Sequence, residues 1–467
     1  MMTDPVLALI TKRPIRISQV SRIVLQYLGK GNLWPPCLCE APREHSVAMM
    51  TTRKDRVLRI GLTLSLVMVA GAFASSAQFY EAALVDAFFA IALASVLILH
   101  LRVSPKLSEV LCVLAGTALF AAVDFDILHY PPKLMAWFSF LGLSSFLVMA
   151  VRAVWATAEE RKMLLYAFLP ALLFVGSEYF ASTMLEWTIS AHPKTLDLYL
   201  LSFDASLHVQ MFFVAGRAFV AWHWLRFLGL LFYVGLAIPI SLVYAGQLVR
   251  IKQRALPAML AFLITGPVGI VFYNLFPASG PRYLLQERFP FYPLSIAQAA
   301  RIFLEPVAIP GARNAMPSLH MAWTLLAWWY SRGLSWWERS IAFLFVVFTV
   351  VATLGTGEHY FADLVVAFPF ALMIEAACAY LLPWKNSSRL TALLFGLLVT
   401  LAWLLSFRYA ARLFWWSPVV PWALGGATIA LTSARQSSLQ KSAKAGTSLP
   451  TYQSVLSTRT SMNDLAP

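Results

Sequence analysis

Two short segments carry residue types that could do chemistry together. Met316-Pro317-Ser318-Leu319-His320 is followed about forty residues later by Gly357-Glu358-His359-Tyr360-Phe361-Ala362-Asp363. Each sets a histidine beside an apolar stretch, and the second adds a carboxylate four residues on. Positions four apart share a helix face, so Asp363 can reach the His359 imidazole. A carboxylate there holds the ring in one tautomer and leaves the other nitrogen to act as nucleophile or general base. His320 can then serve as a general acid. Pro317 suits a first helical turn, and the free N–H groups beside Ser318 can receive an anion next to His320.

The elements that must position these residues are membrane spans. Hydrophobic residues make up 60% of the chain and charged residues 12%, and mean hydropathy is +0.70, whereas a soluble domain is nearer half apolar and a quarter charged. The fold expected is an all-α polytopic membrane protein. Apolar stretches near 58–78, 80–101, 107–127, 133–152, 162–184, 223–247, 256–276, 317–331, 339–356, 360–383, 390–407 and 416–433 give about twelve transmembrane helices, the one at 317–331 being short.

The net charge of +14 sits in short segments between those runs, which is the positive-inside pattern rather than a nucleic-acid patch. Arg53, Lys54 and Arg56 precede the first span, and Arg435, Lys441 and Lys444 follow the last. Both termini are therefore expected in the cytoplasm, and alternation puts both histidine segments on the extracytoplasmic side. No organelle-targeting signal is evident, which points to a bacterial inner (plasma) membrane. Met49-Met50 reads as a plausible translation start. Cys37 and Cys39 make a poor zinc pair, while Cys112 and Cys378 lie in apolar spans as small hydrophobes, so no metal site or disulfide is expected.

Three segments complete a constellation: Phe276-Pro277-Ala278-Ser279-Gly280-Pro281-Arg282, Arg313 through His320, and Gly355-Thr356-Gly357-Glu358-His359 leading to Asp363. Together they resemble the type 2 phosphatidic acid phosphatase (PAP2) superfamily, specifically the branch that includes inositolphosphorylceramide synthases. The resemblance covers roughly 195–383 and implies a six-helix catalytic bundle and a ping-pong reaction on a lipid phosphoester without metal or organic cofactor. By that match His359 attacks phosphorus, Asp363 orients it, and His320 protonates the leaving oxygen and then activates water or an alcohol such as inositol. Arg282 and Ser318 bind phosphate oxygens. Leu319 stands where the superfamily usually has glycine, as is typical of the inositolphosphorylceramide synthase branch. Tyr283 follows Arg282 where a proline is usual, and Leu275 and Thr353 replace two phosphate-binding cations. Arg313, with Arg301 behind it, is the candidate to supply the missing charge.

The organisation expected is a cytoplasmic segment 1–55, an N-terminal transmembrane bundle 56–185, a PAP2-like catalytic domain 195–410, a last span 411–433 and a disordered cytoplasmic tail 434–467. Leu200 through His208 reads as an interfacial helix, with Asp204 at a head group or capping a helix. The competing class is a polytopic transporter of lipid or solute. Span number allows it, but no repeat relates the two halves.

Overall fold

The computed structural model describes residues 87–128, 134–250 and 252–447, all within a compact unit, Val57–Pro467. The regular structure among the described residues is helical, apart from an isolated bridge between Thr195 and Val307. The helices are α1 (Ala87–Ala94), α2 (Val96–Arg102), α3 (Leu107–Leu128), α4 (Leu134–Trp155), α5 (Ala158–Ala191), α6 (Asp197–Ser206), α7 (Met211–Ala221), α8 (His223–Val234) and α9 (Ala237–Arg250). They continue with α10 (Lys252–Leu275), α11 (Pro281–Leu285), α12 (Ile296–Ala300), α13 (Leu319–Tyr330), α14 (Trp336–Gly355), α15 (Phe361–Cys378), α16 (Ser387–Tyr409) and α17 (Val419–Thr447).

Helix α15 is the axis. Of its span, 83% is buried against 33% for α16, because α10, α13, α16 and α17 all pack around it. The first five helices attach to this core through α9 and α10. Val96, Leu99, Met149 and Leu164 pack with Tyr244 and Met259 in one apolar cluster, and the Tyr244 hydroxyl donates to the Tyr166 carbonyl over 2.7 Å.

The described residues do not match all of the twelve spans expected. Among the described residues six helices are long and apolar enough to cross a membrane, or up to eight if each of two bent pairs is one span. The stretch 58–78 and part of 80–101 lie outside the described residues. The stretch 223–247 is broken into α8 and α9, bent by 51°, where Gly235 ends one helix and Pro239 lies in the first turn of the next. The stretch at 317–331 becomes the 12-residue α13, about 18 Å long, too short for a hydrocarbon core of about 30 Å.

Two further expectations change. The segment expected to lie at the membrane surface, α6, is buried from Leu200 to Ser206 and meets α7 at 87°. Phe203 is boxed by Trp403, Phe407 and Phe414 in edge-on contacts at 5.5, 5.2 and 4.8 Å. It is a plug under the core, since aromatic packing occupies the face that a surface helix would give to lipid. The chain past 433, expected disordered, is helical to Thr447. Leu439 is buried in the core cluster, and Gln436 and Gln440 each donate to Glu375 Oε1 on α15, over 3.2 and 3.1 Å. Polar composition disguised a helix held by specific amide–carboxylate bonds.

Candidate active site

Three loops meet at one end of the bundle: the one leaving α10, the one entering α13 and the one joining α14 to α15. Glycine makes their approach possible. Gly280 has φ +113°, and a Cβ there would lie 2.3 Å from the Glu358 carbonyl oxygen. Gly357 has φ +71°, and its carbonyl accepts the Arg282 N–H over 3.0 Å. Only a residue without a side chain tolerates both demands.

His359 is almost fully buried, 3% exposed. Its Nδ1 faces two acceptors, the Ala315 carbonyl at 3.0 Å and Asp363 Oδ2 at 3.3 Å. The Ala315 carbonyl can only accept, so Nδ1 carries the proton and the lone pair lies on Nε2. There it receives the Ser318 hydroxyl over 3.2 Å, while Ser318 Oγ, as the N-cap of α13, also accepts the Met321 N–H over 3.4 Å. Asp363 is fully buried; its Oδ2 also takes the Tyr360 N–H over 2.8 Å. Its Oδ1 has no hydrogen-bond partner among the described residues. Burial lowers His359 to about 4, against the raising effects of the Glu358 carboxylate and the Ala315 carbonyl. The imidazole is thus kept neutral, as a nucleophile requires.

His320 opens α13. Its ring stacks on Tyr233 of α8 with centroids 4.0 Å apart and planes 13° from parallel, and Trp323 meets it edge-on at 6.4 Å. It is close enough to His359 for the two imidazoles to interact electrostatically. Arg282 reaches the same loop from α11: Nη1 pairs with Glu358 Oε1 at 2.7 Å and Nη2 donates to the Tyr283 hydroxyl over 2.8 Å. Leu319 packs on α10, where a Cβ on Gly269 would lie 2.5 Å from it.

All six residues singled out from the sequence, His359, Asp363, Ser318, His320, Arg282 and Arg313, therefore lie on these three converging segments. Arg313 is engaged elsewhere. Its donors run to Ser279 Oγ at 3.1 Å and to the carbonyls of His192, Ile309, Gly311 and Pro193, so it ties loops together. Two residues that sequence reasoning did not assign to the site hold its frame. Asp197 accepts the Ser279 and Gly280 N–H groups over 3.0 and 2.8 Å and the Tyr360 hydroxyl over 3.1 Å. Asp204 accepts the Phe361 and Ala362 N–H groups over 2.8 and 3.1 Å, capping α15 from another helix. The cap reading of Asp204 was available from sequence; its partner helix, about 157 positions away, was not. Among the described residues no group of His, Cys, Asp or Glu is arranged to hold a metal ion.

A family model described as PAP2 superfamily matches residues 198–377, from α6 to the end of α15, and so takes in all three loops. Searches of curated proteins and of solved structures gave no match. The match and the helical architecture point to a membrane enzyme of the phosphatase type.

Proposed function

We propose that the chain transfers a phosphoryl group from a lipid phosphoester through a phosphohistidine on His359. The observation that carries this is the one-sided bonding of the His359 ring, with Nδ1 taken by Ala315 and Asp363 and the lone pair turned to Ser318. In the first step Nε2 attacks phosphorus, the bond to the leaving oxygen breaks, and protonated His320 gives that oxygen its proton. Asp363 then faces the cationic phospho-imidazole. In the second step neutral His320 takes the proton of water or of an alcohol, whose oxygen attacks phosphorus as the P–N bond breaks. Arg282, and Ser318 with the α13 N-terminus, hold the phosphoryl oxygens.

Charge distribution supports an extracytoplasmic site. Arg250, Arg332, Arg339, Lys385 and Lys444 sit at the helix ends opposite the three loops, the side that the positive-inside rule assigns to the cytoplasm. The loop charges favour cytoplasmic termini. Leu319, standing where the superfamily usually has glycine, is the sequence feature that leans toward transfer to an alcohol such as inositol over hydrolysis.

The test is a thin-layer assay on membranes carrying wild type or His359→Ala, with labelled phospholipids and lipid phosphates, with and without inositol. The expected result is a product that disappears in the variant, by at least about 10⁴-fold. A new lipid that requires inositol identifies a transferase; released phosphate without an acceptor identifies a hydrolase. Identical products from both proteins across the panel overturn the reading.

A further inference from the structure

The arginine that faces the His359 loop already holds an anion of the protein's own. Arg282 Nη1 lies 2.7 Å from Glu358 Oε1, Nη2 donates to the Tyr283 hydroxyl over 2.8 Å, and the guanidinium sits 4.5 Å from the centre of the Tyr283 ring. This is no casual surface pair. The Glu358 side chain is 16% exposed, and its backbone is pinned from two sides. Its N–H donates to the Thr353 carbonyl over 3.1 Å and the neighbouring Gly357 carbonyl takes the Arg282 N–H over 3.0 Å. Its own carbonyl lies against Gly280. Glu358 cannot leave Arg282 by a loop shift without carrying His359, the next residue, with it.

The consequence is electrostatic. A phosphoryl group bound between His359 and Arg282 meets one guanidinium whose charge is offset by Glu358, with Asp363 close behind. Arg313, on the loop entering α13, is bound to carbonyls and Ser279. Arg282 is 45% exposed, so solvent screens part of the effect, but each added negative charge on the ligand is still opposed by the fixed carboxylate. A singly charged phosphodiester meets this repulsion once. A phosphate monoester, which carries close to two charges above pH 7, meets it twice.

We propose that Glu358 is a specificity-determining residue that sets the charge of the ligand by partly neutralising Arg282, so that the site prefers singly charged phosphodiesters to doubly charged monoesters. The proposal rests on the placement of phosphate at Arg282 and His359 argued above. It deepens that reading by naming the substrate class.

The experiment uses the full chain in lipid nanodiscs at pH 8, in a His359→Ala background that removes turnover. Binding of a lipid phosphate monoester and of the methyl ester of the same lipid phosphate is measured by competition against a fluorescent lipid phosphate. The parent should bind the methyl ester at least about tenfold tighter, a difference of about 1.4 kcal/mol. Glu358→Gln, which keeps the shape and removes the charge, should shift the ratio by at least tenfold toward the monoester. Glu358→Asp, which keeps the charge, should retain the parental preference. Equal binding of both ligands by the parent overturns the proposal without any variant. So does a Glu358→Gln ratio within twofold of the parent, including the case where both ligands weaken alike. A ratio that shifts as expected in a protein without His359-dependent turnover would sustain this inference and remove the phosphohistidine mechanism instead.

Discussion

Two buried carboxylates occupy the same position, the third residue of a helix, at opposite ends of the bundle, and they are treated differently. Glu338 of α14 has both oxygens engaged: Oε1 by Arg102, and Oε2 by Arg250 at 3.5 Å and by the Ser335 N–H at 2.9 Å. Asp363 of α15 bonds a neutral imidazole and the Tyr360 N–H through one oxygen only, and its other oxygen has no hydrogen-bond partner among the described residues. Both are fully buried. The first is compensated by full charges, and it fastens α2 of the N-terminal helices to the core. The second is left with little but a histidine to stabilise, which is costly for folding and useful only where a positive charge develops on that histidine during reaction. If the proposed reaction holds, the contrast separates a carboxylate that holds the molecule together from one that waits for chemistry.

Asp363→Asn probes the contrast most strongly. The amide keeps the size of the side chain but loses the charge and can turn an N–H toward His359 Nδ1, so turnover should fall by about 10² to 10⁴ with little change in thermal midpoint. A large loss of stability with intact turnover per folded molecule would make Asp363 the structural carboxylate of the two. The pH profile sharpens the same point. Because His359 is lowered to about 4, its neutral form persists on acidification, and the acid limb of kcat/KM for a phosphodiester substrate should lie near pH 4, while the need for protonated His320 should produce a separate fall as pH rises. Below about pH 4 kcat/KM should fall tenfold per unit, whereas an ordinary histidine would begin to lose activity near 6.5. An acid limb at that ordinary value would mean that the ring is solvated.

Glu338→Gln should behave in the opposite way. Removing the counter-charge of two arginines should destabilise the protein by about 2–3 kcal/mol. This is less than for a wholly buried pair, because Arg102 and Arg250 are 25% and 42% exposed. Turnover per folded molecule should stay within about twofold of wild type, since the effect is confined to the far end. A tenfold loss of turnover at full folding would couple the two ends. Asp204→Ala should have the smallest effect. Losing the cap on α15 should cost about 1 kcal/mol and reduce turnover a few-fold by loosening the His359 loop, as read by thermal unfolding and the same lipid assay.

Much of the site was legible in the sequence because its chemistry is local. His359 and Asp363 are four residues apart on one helical turn, Ser318 and His320 bracket a helix start, and such spacings determine which side chains can meet. The membrane character was legible for a similar reason, since the solvent of each span is set by its own composition. The span number was not, because a hydropathy window does not register the bend between α8 and α9 or the shortness of α13. Neither could composition reveal that Gln436 and Gln440 would find Glu375, or that α6 would be sealed by Trp403, Phe407 and Phe414. Only the tertiary structure decided that Asp204 caps a helix far along the chain, that Arg313 binds carbonyls and that Arg282 meets Glu358. Those partners come from packing between distant segments, where the desolvation of a charge is offset by whichever group the fold brings within hydrogen-bond reach.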